Sequence, residues 1–154
     1  MLREEFINAK RIVIKLGTNV LRNSDGEVAI SRIYSFIEDM AKLVKQGKEV
    51  ILVTSGAVGL GKKKLNLEST AEDGVKQACA AVGQSRLMSF YENGFGIYDV
   101  PIAQILLTED DFSLRYRYLS LRTTLNKILE FGVVPIINQN DTVSTIEMNP
   151  MMSG

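Results

Sequence analysis

The chain has 154 residues, 45% of them hydrophobic, with 18 basic and 18 acidic side chains. That length can bury the core of one domain, and zero net charge gives neither nucleic acid nor an anionic membrane surface an electrostatic hold. Histidine is absent, which removes histidine bases, Ser-His and Cys-His nucleophile pairs and the usual zinc sites.

In chain order, residues 10–16 (KRIVIKL) form a short β-branched run ending at Gly17, the pattern of a strand entering a turn. Asn23-Ser24-Asp25-Gly26 reads as a tight turn. From Ile33, the apolar residues Phe36, Ile37, Met40, Leu43 and Val44 step by three and four along one helical face, and Gly47 closes the helix. Residues 49–53 (EVILV) are nearly continuous apolar sequence, the signature of a strand buried on both faces.

A short helix over 57–64 and a longer one over 71–90 are predicted next, the second with Val75, Ala78, Cys79, Val82 and Leu87 inward. Cys79, set among alanines, reads as a packing residue with no disulfide partner, and Lys62-Lys63-Lys64 as a solvated helix end. Residues 101–107 predict a third strand. Residues 116–131 predict a helix with Leu121, Leu125, Ile128 and Leu129 inward, ended by Gly132, and 133–137 a fourth strand. Apolar strands alternating with helices imply an α/β three-layer sandwich with a mainly parallel sheet. Residues 148–154 match no element pattern, and the sandwich reads as incomplete at its C-terminus. No segment reaches the ~18 apolar residues of a membrane span, and the first residues lack an apolar signal core, so a cytoplasmic protein is expected.

Ligands of open parallel sheets bind beyond the carboxyl ends of the strands, and three of these ends are chemically suggestive. Lys15, two residues before Gly17-Thr18, can reach across the strand tips, and the glycine leaves backbone N–H groups open to an oxyanion; an ordinary edge-strand lysine before a turn is the alternative. Ser55-Gly56-Ala57 suits an anion at a helix N-terminus, or Ser55 simply caps that helix. Asn138, Asn140 and Asp141 offer amides for a carboxylate and a carboxylate for an ammonium, or form an ordinary Asn/Asp turn. Together they suit a zwitterionic amino acid beside a phosphate. A carboxylate substrate, with a pKa of ~4.3, is already ionised at neutral pH and needs no general base to attack a phosphoryl group.

At these residues the chain resembles the amino acid kinase family. The segments are Val13-Ile14-Lys15-Leu16-Gly17-Thr18-Asn19-Val20-Leu21 and Val53-Thr54-Ser55-Gly56-Ala57-Val58. Ala80-Ala81-Val82-Gly83-Gln84-Ser85, Gln104-Ile105-Leu106-Leu107-Thr108 and the run from Val134 to Val143 narrow the resemblance to its glutamate 5-kinase branch, rather than acetylglutamate kinase, aspartokinase or uridylate kinase. The resemblance spans about residues 10–147. It sets residues 1–9 apart as an N-terminal extension and 148–154 as a divergent tail.

The resemblance implies ATP- and Mg²⁺-dependent phosphorylation of the γ-carboxylate of L-glutamate, the first step of proline synthesis, by a cytoplasmic homo-oligomer. It implies that Lys15 contacts the ATP phosphates and stabilises transfer, and that Gly17 and Thr18 line the moving phosphoryl group. Ser55, Gly56, Ala57, Asn140 and Asp141 would hold glutamate, Asp141 by its α-ammonium. Where the family continues into a Gly-Asp-Asn-Asp-type segment, this chain has Met151-Met152-Ser153-Gly154. The nucleotide half of the fold is then expected to be missing, leaving either a shortened kinase or a non-catalytic amino-acid-binding or assembly module.

Overall fold

The structure is a computed structural model and describes residues 7–143. The elements are β1 (Arg11–Leu16), α1 (Thr18–Leu21), α2 (Ile30–Lys45), β2 (Glu49–Thr54), α3 (Ala57–Lys64), α4 (Val75–Gly96), β3 (Ile102–Leu107), α5 (Asp110–Ser113), α6 (Arg115–Glu130) and β4 (Val134–Gln139). The whole of the divergent tail and the first six residues of the N-terminal extension lie outside the described residues.

The helix stops follow the sequence signals. Gly47 and Gly132 adopt left-handed backbone at φ +82° and +70°, where glycine carries no Cβ penalty. After α2, Gly47 N–H donates to Val44 O and Lys48 N–H to Leu43 O, closing the helix carbonyls as a C-terminal glycine allows. The turn at Asn23–Gly26 is closed by a bond from Gly26 N–H to Asn23 O, with Gly26 at φ +81°.

All three strand pairs are parallel, in the order β1-β2-β4-β3. The chain therefore steps outward twice and then turns back, inserting β4 between β2 and β3. Ile14 and Leu16 of β1, Val50 and Leu52 of β2, and Val134 and Ile136 of β4 share one face. They pack with Ile33, Ile37 and Met40 of α2 and Leu87, Tyr91 and Phe95 of α4 into the main core. Right-handed crossovers put the returning helix on the other face. There α6 lies along β4, with Leu129 buried outside the main core cluster.

The crossing of α3 over α4 is set by glycine. A Cβ on Gly61 would lie 1.8 Å from Cys79 O, and one on Gly83 would lie 1.7 Å from Ala57 O. Cys79 is fully buried at this crossing.

The predicted inward set on α4 needs correction. The helix starts four residues later and ends six residues later than its periodicity suggested, and Ala78 and Val82 are exposed. The buried stripe runs through Cys79, Gly83, Leu87, Tyr91 and Phe95. Close packing against α3 selects the glycine side of the helix, which a count of apolar residues overlooks. On α6 only Leu129 is buried, while Leu121, Leu125 and Ile128 are half-buried. Strand β1 is an edge strand, and only one of its faces is covered among the described residues: Val13 is 61% exposed. The short helices α1 and α5 were too brief to leave a periodic signal.

Candidate functional site

Every strand points its carboxyl end the same way, so the three suggestive tips meet at one edge of the sheet. In register, Lys15 lies beside Val53, and Val53 beside Ile137. The Lys15 and Ile137 backbones are thus two strand spacings apart, roughly 10 Å. The connections leaving β1 and β2 run to the α2/α4 face, whereas that leaving β3 runs to the α6 face. Such a reversal opens a crevice above the sheet, and the tip of β4, with Asn140 and Asp141, lies in it.

Lys15 is exposed near the end of β1 and makes no ion pair among the described residues. Gly17 has φ −78° and ψ 167°, open to any residue, and a Cβ there would meet no atom of the described residues within 4 Å. Its missing side chain leaves free space in front of the strand tip, where an oxyanion can approach the backbone. Thr18 opens α1, and its hydroxyl lies 3.2 Å from Ser55 Oγ. Ser55 Oγ donates to Leu16 O at 3.4 Å, so the hydroxyl proton between the two side chains comes from Thr18. The tips of β1 and β2 are joined by this pair.

Ser55 does not cap α3. The N-cap is Gly56, at φ +96°, with no side-chain cap bond. The first N–H groups of α3 have no intrahelical partner and no side-chain cap bond among the described residues, which leaves them open to an anion. Gly56 also packs beside Thr18, since a Cβ would lie 3.9 Å from its Oγ1. Ala57 is buried by the α3–α4 crossing.

Strand β4 ends two residues later than expected and includes Asn138 and Gln139. Asn138 is therefore a strand residue, 6% exposed, not part of an open turn. Its Nδ2 donates to Gln84 Oε1 at 2.9 Å, and its Oδ1 accepts from Gln139 N–H at 2.9 Å. Asn140 N–H donates to Leu107 O at 2.7 Å, and both Asn140 and Asp141 are half-buried. Beneath β2, Thr54 Oγ1 and Tyr91 Oη are 2.7 Å apart, and burial pushes the Tyr91 phenol up to about 12 against the opposing effect of that bond.

Sequence reasoning passed over Gln84, Gly83 and Tyr91 as site residues. Gly83-Gln84 stood inside a segment that carried the resemblance, but nothing in a helix pattern says which strand its side chains will meet. Among the described residues no group of three Cys, Asp or Glu side chains converges as a metal site. The donor set fits Mg²⁺ only as an ion carried mainly by phosphate oxygens and water. Two clefts elsewhere, one by Lys63, Lys64 and Arg86 and one between α4 and β3, include none of Lys15, Ser55 and Asp141. The candidate site is an open groove over the strand tips.

The chain is 49% identical over 148 residues to a glutamate 5-kinase of Desulfotalea psychrophila, an alignment covering 95% of this chain and 39% of the relative. It is 42% identical to one from Pelobacter propionicus and 45% identical to one from a Marinomonas species, each alignment covering 96% of this chain and 40% of the relative. The chain thus spans about two fifths of the length of the curated relatives it matches. The profile of the amino acid kinase family matches residues 10–149, from the start of β1 through all three strand tips, and the chain belongs to that family.

Proposed function

We propose that the chain is the amino-acid side of a glutamate 5-kinase, which transfers the γ-phosphoryl group of ATP to the γ-carboxylate of L-glutamate as the first step of proline biosynthesis. The observation that carries this reading is the meeting, at one sheet edge, of the Asn140–Asp141 turn with a lysine and a helix N-terminus that have no ion pair and no side-chain cap among the described residues. Lys15 neutralises charge on the moving phosphoryl group, and Gly17 and Thr18 border it. The N–H groups after Ser55-Gly56 hold a substrate carboxylate. Asn140 adds a hydrogen-bonding amide, and the Asp141 carboxylate receives the α-ammonium.

The γ-carboxylate attacks as the anion, so no residue has to remove a proton. The residues supply alignment and charge stabilisation, the main demands of phosphoryl transfer. ATP would supply the phosphoryl group, and Mg²⁺ carried with it would offset phosphate charge beside Lys15. By the same reading the protein is a cytoplasmic homo-oligomer; no helix among the described residues is long and apolar enough to cross a membrane.

The test uses glutamate, ATP, Mg²⁺ and hydroxylamine, which traps the acyl phosphate as hydroxamate. Hydroxamate formation that falls about 10²-fold or more in Lys15→Ala is the expected result. Phosphorylation of UMP with none of glutamate would overturn the reading. Calorimetric binding of glutamate, weakened in Asp141→Asn, with no hydroxamate formed would instead identify a non-catalytic amino-acid-binding module.

A further inference from the structure

Helix α4 touches two of the site's three strand tips with consecutive residues. Gly83 receives the Ala57 carbonyl, where a Cβ would sit only 1.7 Å away, and Gln84 meets the tip of β4. The Gln84 side chain is used at both ends: Oε1 accepts from Asn138 Nδ2 at 2.9 Å, and Nε2 donates to Gln104 Oε1 of β3 at 3.0 Å. One amide thus bridges β4 and β3 from below.

The need for this bridge follows from the register. Pairing of β2 with β4 ends at Val53 opposite Ile137, while β3 stays paired with β4 to Leu107 opposite Gln139. Gln139 is two residues past the last β2 pair, and its N–H is satisfied by Asn138 Oδ1. That bond requires Asn138 to present its oxygen to the backbone and its NH₂ group to the helix. Among the described residues, Gln84 Oε1 is the acceptor that satisfies the NH₂ end of this largely buried amide. The chain leaving β4 toward Asn140 and Asp141 is held by the bond from Gln139 N–H to Asn138 Oδ1 and by that from Asn140 N–H to Leu107 O.

We propose that Gln84 is a positioning residue, which fixes the Asn138 amide and through it the Asn140–Asp141 turn in the conformation that accepts the amino acid. The last step rests on the function proposed above. Gln84→Met removes both bonds at nearly constant volume, whereas Gln84→Glu keeps the acceptor for Asn138. Hydrogen exchange of the whole chain is expected to quicken about tenfold at Gln139 and Asn140 in Gln84→Met, chiefly from loss of the part-buried bond to Asn138. Amides of α2 and β1 should be unchanged, and Gln84→Glu should restore protection at the tip. Glutamate affinity by calorimetry should fall by a similar factor in Gln84→Met.

Unchanged protection at the tip, or equal loss of protection throughout the chain, would overturn the proposal. So would a loosened tip with unaltered glutamate affinity. A wild-type chain that binds no glutamate defeats the amino-acid reading of the site, and the exchange comparison then decides by itself whether Gln84 holds the β4 tip.

Discussion

Tyr91 links the core to the site with one hydroxyl. Its phenol is buried against Thr54 at the end of β2, and its folded pKa of about 12 lies above the ordinary 10.0. A raised pKa of this kind contributes stability that is fully present below pH 10 and is lost as pH rises through 12. Alkaline denaturation should therefore lower unfolding free energy over that window by an amount on the order of 3 kcal/mol. Tyr91→Phe should be less stable than wild type by about 1 kcal/mol at neutral pH, from the lost bond to Thr54, yet should show a flatter profile between pH 10 and 12. A wild-type profile retained in the variant would assign the loss to other groups. Gly83 is a second residue whose identity is fixed by contact. Its α-carbon has no room for a methyl group beside the Ala57 carbonyl, and Gly83→Ala should cost about 3 kcal/mol in chemical denaturation. A midpoint within error of wild type would show that the α3–α4 crossing yields easily.

Among the elements, α3 is the one whose start the proposed function uses to hold a carboxylate. Its N-cap is a left-handed glycine, not the serine before it, and Ser55 is directed instead to Leu16 and Thr18. The usual serine-cap pattern was visible in the sequence, but the turn that joins β2 to α3 sends the hydroxyl toward β1. Gly56→Ala should cost about 1–2 kcal/mol from the left-handed backbone alone and should weaken glutamate binding more than Gly17→Ala does. Equal effects at the two glycines would contradict the assignment of the anion site to α3, because Gly17 has an ordinary backbone and open space for a Cβ. Helix α4 was legible as an element but not as a support. Its glycine and glutamine side faces α3 and the strand ends, whereas Val82, an apolar residue of the expected face, is 37% exposed. Helix α2, packed on a sheet face, α4 and the short α1, buries Ile33, Ile37, Met40 and Ala41, close to the set its periodicity marked.

For the whole molecule, the two faces of the sheet are unequally covered. One is closed by α2 and α4; on the other, Val13 of β1 is 61% exposed, as are Tyr116 and Phe131 at the two ends of α6, at 67% and 75%. Exposed apolar surface beside an edge strand favours association. Light scattering should report a mass above that of the monomer that rises with concentration, and Val13→Lys should lower it; a monomer at all concentrations would refute this. The sequence by itself determined the four strands, the main helices, their glycine stops and the three polar segments at strand ends, because these depend on local periodicity and backbone freedom. It could not determine the order in which the strands lie. Only the tertiary structure inserts β4 between β2 and β3, turns α6 to the second face and so brings Asn140 and Asp141 over the crevice near Ser55 and Lys15. That order is set by burial of whole helix faces on a twisted sheet with right-handed crossovers, a balance among elements far apart in the chain. The same balance lets α4 place Gly83 and Gln84 beneath the site.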